Sequence, residues 1–336
     1  MIPAVSAAAY DRARRRAAFI DRSDRGRILV SGSDRATYLQ GLLTNDIAAL
    51  QSGQGCYAAY LTAQGRMIAD LHAYELGDVM LLAMSGGVKD TVLAKLDQFI
   101  FTEDVQLGDV SATFAQVAVV GPEAARTLAR LIGGVTEAAL LAMPDHANAR
   151  TERQGAPLIL TRTNDAGEPG YDVYLEAALV GDLTAALEAA DVVALDEEIA
   201  DAVRIEGGVP LFHRDMDENT IPLEAGIEAR AISFSKGCYV GQEVIIRVLH
   251  RGHGRVARKL VGLLVEGERV PPPGARVHAA EREIGRVTSS TWSPALTRPI
   301  ALGYVHRDFL EPGTKVSVDG AFAEVATLPF VGTQHV

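Results

Sequence analysis

The segment VSGSDRATYLQGLL (residues 30–43) is echoed later in the chain by VVGPEAARTLARLI (residues 119–132). Aligned without gaps, the two segments share an opening valine, a glycine (Gly32 and Gly121) and apolar residues at matching positions. Each pattern predicts a strand, a turn at the glycine, and a helix opened by a serine or a proline. A chance match between two strand–turn–helix units is the alternative, but we favour an internal duplication.

Each half continues with a second strand and a second helix. In the first half these are VMLLAM (79–84) and VKDTVLAKLDQFI (88–100), and in the second YDVYL (171–175) and VGDLTAALEAA (180–190). We therefore predict two α+β modules, each a sheet covered on one side by helices. After Lys259 the sequence changes to short β-rich segments separated by Gly and Pro, which predicts a small antiparallel barrel or sandwich.

The composition is that of a globular protein of two or three domains: 336 residues, 48% hydrophobic and 22% charged. A net charge of -11 argues against general electrostatic affinity for nucleic acid or anionic membranes. No apolar run is long enough to cross a bilayer, and the arginine-rich beginning lacks the apolar core of a secretory signal. Two cysteines cannot form a disulfide framework, so we expect a cytoplasmic protein.

Two stretches are candidates for a polar site. HRDMDENTIPLEAG (213–226) has too many acidic and amide side chains for a strand and no helical stripe, so it predicts either a solvated acidic loop or the lining of a polar pocket. GRMIADL (65–71) places Asp70 in an otherwise apolar strand. Because desolvating a carboxylate is costly, Asp70 either lies at a rim or has a shifted pKa and a chemical task.

The third candidate is FSKGCYVGQEVIIRVLHRG (234–252), which surrounds Cys238 with cationic side chains. If they converge, Lys236 and the cations that follow it would lower the pKa of the Cys238 thiol. Gly237 and Gly241 would let the backbone approach a ligand closely. The alternative is a structural thiol in a tight turn. Cys56 and the histidines, including His72, are predicted to be structural or exposed, and no zinc-ligand spacing is present.

Four strings together resemble one protein family: GLLTNDIAAL (41–50), GRMIADL, DMDENTIPLEAG (215–226) and KGCYVGQEV (236–244). They are similar to folate-binding proteins of the glycine-cleavage T-protein (aminomethyltransferase) superfamily. The string K-G-C-Y-V-G-Q-E is similar to the signature of the YgfZ branch, whose members support iron–sulfur cluster maturation and, through it, certain tRNA-modifying enzymes. The resemblance covers about residues 28 to 330.

The resemblance implies a role for individual residues. Asp70 matches an acid that contacts the reacting nitrogens of tetrahydrofolate, Ala69 replaces a second acid, and Tyr57 lines the folate cavity. Asp172 stands where the family holds the pterin with a glutamate, and Arg204 matches an arginine near the anionic tail of folate. The remaining implied site residues are Asp215, Asn219, Lys236, Gly237, Cys238, Tyr239, Gly241, Gln242, Glu243 and Arg247, with Arg251 and Arg255 as further candidates for the tail.

The resemblance also implies a fold and a domain organisation. It predicts two ferredoxin-like α+β modules and a C-terminal antiparallel barrel arranged as a ring around a folate cavity. The first module would span residues 25–111. The second would be discontinuous, formed by residues 1–24 and 112–254, and the barrel would span 255–336.

The function that the resemblance implies is support of iron–sulfur cluster assembly or repair. The cofactor would be tetrahydrofolate or a one-carbon derivative, the 5,10-methylene or 5-formyl form, with Cys238, Asp70 and Lys236 as catalytic residues and no metal site. Partners would be iron–sulfur client proteins or cluster carriers, without membrane or direct nucleic-acid binding. The alternatives are an aminomethyltransferase acting on a lipoyl carrier, which would make the chain a folate-dependent one-carbon transferase, and a folate-binding module without chemistry.

Overall fold

The structure, a computed structural model, describes residues 4–250 and 255–332. Up to residue 109 it contains α1 (Ala4–Arg15), β1 (Ala18–Asp21), β2 (Gly26–Ser31), α2 (Arg35–Leu42), β3 (Gly55–Leu61), β4 (Met67–Glu75), β5 (Met80–Met84), α3 (Lys89–Asp97) and β6 (Gln106–Asp109). Five of these strands form an antiparallel sheet in the order β3-β4-β5-β2-β6. Helices α2 and α3 bury apolar side chains against one face of this sheet, which completes the first module.

The second module follows along the chain. It contains β7 (Phe114–Val120), α4 (Ala124–Leu131), α5 (Glu137–Leu141), β8 (Asn148–Arg153), β9 (Ala156–Thr163), β10 (Gly170–Glu176), α6 (Val180–Ala189), β11 (Val193–Ala194) and α7 (Glu197–Glu206). Its six-stranded sheet has the order β11-β1-β7-β10-β9-β8, so the early strand β1 pairs with β7 and β11. Helices α4, α5 and α6 cover one face, and α1 and α7 pack on part of the other.

Three short helices connect this module to a barrel. The connecting helices are α8 (Pro222–Ala225), α9 (Glu228–Ala231) and α10 (Gln242–His250), and the barrel strands are β12 (Arg258–Val265), β13 (Arg276–Ala279), β14 (Arg282–Ser293), β15 (Arg298–His306), β16 (Lys315–Val318) and β17 (Ala321–Ala326). The sheet is closed in the order β12-β15-β14-β13-β16-β17 around an apolar core. The predicted fold class, two α+β modules and a C-terminal antiparallel barrel, is therefore confirmed.

The two echoed segments have the same local conformation. Gly32 and Gly121 both have positive φ, at 101° and 103°, and a Cβ at either position would collide with a backbone carbonyl. Such a turn requires glycine, which explains why it recurs at the same place in both segments. The following helices, α2 and α4, begin two residues later than predicted, at Arg35 and Ala124, after the serine and the proline.

The sheets of the two modules pack face to face. The rings of Tyr74 on β4 and Tyr174 on β10 meet edge to face, with their centroids 6.3 Å apart. Asn148 joins the modules because its side chain donates to the carbonyl oxygens of Gln54 and Glu75. The interface between the sheets is thus ordered by hydrogen bonds as well as by apolar packing.

Candidate functional site

Alternation along β4 and β10 directs polar side chains into the interface between the two sheets. On β4, Leu71 and Ala73 enter the core of the first module, so Asp70, His72 and Tyr74 point to the opposite face. On β10, the odd-numbered residues pack against α4 and α6, so Asp172 and Tyr174 face the first module. The fold therefore concentrates ionisable groups between two sheets that both bury their other faces.

A hydrogen bond joins two residues that the sequence predicted for the folate site. The hydroxyl group of Tyr57 on β3 donates to Oδ2 of Asp70 across 2.8 Å. Burial raises the pKa of Asp70, even though this hydrogen bond and the nearby Arg25 favour the carboxylate. Burial and the adjacent Asp70 also raise the pKa of Tyr57 well above 10.0, so the phenol remains the donor. An oriented carboxylate with a raised pKa can act as a general base.

Carboxylates and arginines face this pair from the second module. Asp172 pairs with Arg22 at 3.2 Å and is almost fully buried. Burial opposes the charge on Arg25, but the carboxylates of Asp165, Asp172 and Asp70 raise its pKa overall. Arg25 therefore lies among three acids contributed by both modules. Asp172 was predicted to hold the pterin, and its partner in the structure is the Arg22 side chain.

His72, which was predicted to be structural or exposed, is buried at the centre of this group. Its Nε2 is 3.1 Å from Oδ2 of Asp165, and its ring lies 5.1 Å from the rings of Tyr57 and His146. Burial lowers the pKa of His72 to about 3 in spite of the nearby Asp165. Burial opposes the ionisation of Asp165, but the charges of Arg25 and Arg230 hold its pKa below the usual range. The pair is thus a neutral imidazole beside a carboxylate.

Two buried polar atoms around this group, Arg25 Nε and His146 Nδ1, have no hydrogen-bond partner among residues 4–250 and 255–332. Leaving buried donors and acceptors unpaired is costly, and native structures do so at few positions. A ligand with a polar heteroaromatic ring, such as the pterin of tetrahydrofolate, would supply matching donors and acceptors, so these residues fit that group.

Substituting His72 with glutamine is expected to reduce the acid sensitivity of the fold. The folded-state pKa of His72 lies below its unfolded value of 6.5, so its contribution to stability is present above pH 6.5 and is lost as the pH falls toward 3. In the wild type this slope is at most about 1.4 kcal/mol per pH unit. Urea denaturation between about pH 4 and 7 measures it. Equal slopes for the two proteins would mean that His72 is not held neutral.

The β3–β4 hairpin turn brings together the three stretches singled out from the sequence. The amide of Met67 donates to the carbonyl of Thr220 in the acidic segment across 2.9 Å, and Arg66 donates to the carbonyl of Asn219. Gly241 packs against the other side of the turn, where a Cβ would lie 2.5 Å from the carbonyl oxygen of Thr62. Gly241 was predicted to let a ligand approach, but its close neighbour is this hairpin.

Replacing Gly241 with alanine is expected to destabilise the protein, whereas the same change at Gly237 is not. Gly241 has a φ of +84° and no room for a Cβ, whereas Gly237 has nothing within 4 Å of the added atom. We expect a loss of about 1–3 kcal/mol at Gly241 from backbone strain. Chemical denaturation of both variants measures the difference, and similar stabilities would contradict the packing described.

Lys236 was predicted to activate Cys238, but its contacts indicate a structural role. Its Nζ donates to the carbonyl oxygens of Gln40, Leu43 and Asn45 across 2.6, 2.7 and 2.8 Å, which uses all three ammonium protons at the end of α2. Burial lowers the pKa of Lys236 to about 8. The ammonium group therefore anchors the loop that carries Cys238 to the first module.

The buried ionisable side chains around Asp70, namely Tyr57, His72, Asp165, Asp172 and Arg25, are called the Asp70 group. The rest of the loop that carries Cys238 lies outside it. Cys238 is exposed, Tyr239 is buried in the core of the first module, and Gln242 begins α10. Glu243 and Arg247 form an exposed ion pair at 2.6 Å, one turn apart on α10. Within the described residues, none of these side chains has a hydrogen bond or ion pair with the Asp70 group. Arg255 is exposed, and Arg251 and His253 lie outside the described residues.

Arg204, which the resemblance placed near the folate tail, and Asp215, another implied site residue, form a buried ion pair that contacts the barrel. Arg204 Nη1 donates to Oδ2 of Asp215 across 2.8 Å, and Nη2 donates to Ser289 on β14 across 3.0 Å. Arg204 also pairs with Asp201, one turn earlier on α7. The guanidinium group of Arg204 on α7 thus donates to Asp215 in the acidic segment and to Ser289 in the barrel. These contacts link the three parts of the chain. Asn219 is exposed in that segment and contributes its carbonyl to the hairpin contact.

A cavity of about 720 Å³ lies where the second module, the connecting helices and the barrel meet. Asn164 and Gly167 line it from the second module, and Lys259 lines it from the barrel. Arg230 on α9 also lines it and lies 5.0 Å above the ring of Tyr57, so the cavity is next to the Tyr57–Asp70 pair. The sequence pattern contained no signal for Arg230, since a single arginine in a four-residue helix resembles any surface residue.

No group of three or more His, Cys, Asp or Glu side chains among the described residues is arranged to hold a metal ion. In the same part of the chain, no helix has both the length and the apolar character needed to cross a membrane.

Comparison with known proteins gives consistent matches over most of the chain. The GCVT N-terminal domain matches residues 3–236, and the glycine cleavage T-protein C-terminal barrel domain matches residues 258–331. An aminomethyltransferase of Streptomyces coelicolor is 33% identical over 96% of this chain and 88% of its own length, and one of Rubrobacter xylanophilus is 33% identical over 89% and 78%. The crystal structure of glycine cleavage system aminomethyltransferase T from Bartonella henselae has a TM-score of 0.87 and 25% identity, covering 98% of this chain and 90% of that one. The chain belongs to the glycine cleavage T-protein family.

Proposed function

We propose that the chain is a tetrahydrofolate-dependent one-carbon transferase of the aminomethyltransferase type. The observation that carries this proposal is the Tyr57–Asp70 hydrogen bond, which lies in one buried group with Arg25 and His146, each of which has a buried side-chain nitrogen without a partner among the described residues. The names of the relatives support the same reaction class. This proposal takes the function that the sequence resemblance ranked second.

Each residue of the site has a role in this proposal. Asp70 and Tyr57 would contact the reacting part of the folate, while Arg25 and His146 would meet the polar edge of the pterin. Tetrahydrofolate, when bound, supplies the nitrogen atoms that carry the one-carbon group. Asp70 accepts a proton or stabilises positive charge, and Tyr57 keeps its carboxylate oriented. Because the two sheets exclude water, this electrostatic effect is stronger than at an open surface.

The proposal is tested by calorimetry and by turnover. Isothermal titration with tetrahydrofolate and its 5,10-methylene and 5-formyl forms measures binding and identifies the preferred form. Incubation with an aminomethylated lipoyl carrier protein and tetrahydrofolate measures transfer. We expect binding and folate-dependent release of the aminomethyl group. Binding without turnover would exclude the transferase activity and leave a folate-binding role. Absence of binding would exclude both functions.

A second candidate function is support of iron–sulfur cluster assembly or repair in the cytoplasm. The observation that favours it is the exposure of Cys238 in the K-G-C-Y-V-G-Q-E string, where the thiol is accessible to a client protein or a cluster carrier. The alanine at position 69, where the resemblance implies a second acid, does not separate the two candidates. Ala69 is fully buried in the core of the first module, on the face away from Asp70.

Complementation distinguishes this second candidate from the first. Cells that lack the protein and depend on an iron–sulfur enzyme would receive the wild type, Cys238→Ala or Asp70→Asn. The maturation hypothesis predicts that Cys238→Ala fails to restore the cluster enzyme although it binds tetrahydrofolate normally. Full restoration by Cys238→Ala would exclude a role for this thiol.

A further inference from the structure

A smaller cavity lies between the two sheets, farther along their interface than the Asp70 group. Tyr174 lines it and is two positions beyond Asp172 on the same face of β10. The volume is about 140 Å³, and most of the lining is apolar. The apolar residues include Leu29, Leu76, Val79 and Leu81 from the first module and Phe114 and Ile159 from the second. An apolar cavity of this size can enclose a ligand about as large as benzene.

Arg27 on β2 brings a buried positive charge to this cavity. Because Ile28 enters the core of the first module, Arg27 points to the second module, and its side chain is fully buried. Its Nη2 donates to the carbonyl oxygens of Ser23 and Ser111 across 2.9 and 2.7 Å, and its Nη1 has a longer contact of 3.4 Å with the carbonyl of Arg22. Its Nε has no partner among residues 4–250 and 255–332. The guanidinium group therefore keeps an unused donor inside the interface.

The charge of Arg27 is not neutralised, unlike that of Arg25 two positions earlier. Three carboxylates raise the pKa of Arg25 in spite of its burial. Burial lowers the pKa of Arg27, and the charges of Asp24 and Asp109 do not offset this effect. In the part of the chain that the structure describes, no carboxylate forms an ion pair with Arg27. Because an uncompensated buried charge is costly, an anionic group bound beside Arg27 would be strongly favoured.

The other charged residue of the cavity lies at the protein surface. Arg150 on β8 is half exposed and pairs with the exposed Asp78. Among the described residues that line the cavity, Arg27 and Arg150 are the only charged ones. The interior thus combines one cation with apolar side chains. This combination suits a ligand with a single negative charge and a small hydrocarbon part, whereas strongly hydrated inorganic anions such as phosphate would be disfavoured.

We propose that this cavity binds a small apolar monocarboxylate, a branched or cyclic acid of about five carbon atoms, with the carboxylate at Arg27. The hydrocarbon part would pack against Leu29 and Val79. The site is separate from the Asp70 group, since no member of that group lines the cavity. The inference therefore does not depend on the proposed folate chemistry.

The test compares 3-methylbutanoate with its neutral amide, 3-methylbutanamide. Isothermal titration of the wild type should show that the carboxylate binds at least about tenfold tighter than the amide. Methyl NMR spectra should show ligand-dependent shifts at Leu29, Val79 and Leu81. Addition of tetrahydrofolate should not displace the carboxylate, because the two sites are separate.

Two variants locate the bound carboxylate. Leu29→Phe fills the cavity without removing the cation and should weaken binding of 3-methylbutanoate about tenfold or more. Leu141→Phe, the same change at an exposed position at the end of α5, is the matched control and should bind as the wild type. Arg27→Met should lower the affinity for the carboxylate to that for the amide, with thermal unfolding as the check that the variant is folded.

Three results would each overturn the inference. The first is equal affinity of the wild type for the carboxylate and the amide, or no saturable binding of either. The second is unchanged binding by Leu29→Phe. The third is displacement of the carboxylate by tetrahydrofolate, which would place it in the folate site. Failure of tetrahydrofolate itself to bind would overturn only the proposed function.

Discussion

Asp70→Asn is expected to lower the rate of folate-dependent one-carbon transfer by a factor of about 10²–10⁴, the usual contribution of a general base. Asparagine keeps the size of the side chain and can still accept the hydrogen bond from Tyr57, but it can neither take a proton nor carry a negative charge. Folding and tetrahydrofolate binding should therefore change much less than turnover. Steady-state kinetics together with calorimetry measure this separation.

The pH profile provides a second readout of Asp70. Because burial raises the pKa of Asp70, the wild-type rate should fall on acidification above the usual aspartate range. The residual rate of Asp70→Asn should not show this fall on acidification. Asp182→Asn, a change at an exposed aspartate on α6, is the matched control and should behave as the wild type. Undiminished turnover by Asp70→Asn would show that this carboxylate is not the base.

Arg204→Met is expected to reduce the free energy of unfolding by about 3–5 kcal/mol, the usual result of breaking a buried ion pair. The substitution leaves Asp215 fully enclosed without its cation, and it removes the donors to Ser289 and to the carbonyl of Val209. Because these contacts join α7 to the acidic segment and the barrel, their loss should lower the stability of the whole protein and not only of one segment. Urea or guanidinium denaturation measures the change.

A surface arginine provides the comparison for Arg204. Arg276 on β13 pairs with Glu283 at 3.6 Å and most of its side chain is exposed, so Arg276→Met should cost less than about 1 kcal/mol. If Arg204→Met were as mild as this control, the pair with Asp215 would not be a structural joint. In that case, the presence of Arg204 would be better explained by the role that the resemblance implied for it, binding the anionic tail of folate.

The parts of the fold that were predicted correctly depend on local patterns. The turn glycines Gly32 and Gly121 and the short β-rich segments after Lys259 each follow from a few neighbouring residues. The face-to-face packing of the two sheets could not be predicted in this way. It depends on pairs such as Tyr74 with Tyr174, which are far apart in sequence.

Part of the site was found from the sequence for a related reason. Asp70 was recognisable because an acid is conspicuous in an apolar strand, and Tyr57 followed from the family resemblance. Lys236 was assigned to the activation of Cys238 and Arg204 to ligand binding, because a cation within a motif looks the same whether its partner is a thiol, a ligand or a group of the protein itself. In the structure their partners are the end of α2 and Asp215.

Three residues of the candidate site, His72, Asp165 and Arg230, were not predicted, because the sequence around them gave a weak signal or none. His72 lies two residues after Asp70, so the period of a strand puts both on one face, and this spacing could have identified it. Asp165 and Arg230 reach the site from a turn and a short helix of other parts of the chain. Only the tertiary structure brings them together with Tyr57.

The most direct test of the central claim is a crystal structure of the protein with bound tetrahydrofolate. The account predicts the pteridine between β4 and β10, with Asp70 in hydrogen-bond distance of a folate nitrogen and with Arg25 or His146 hydrogen-bonded to the ring. A pteridine bound elsewhere, for example between the acidic segment and the barrel, with Asp70 still paired only with Tyr57, would contradict it.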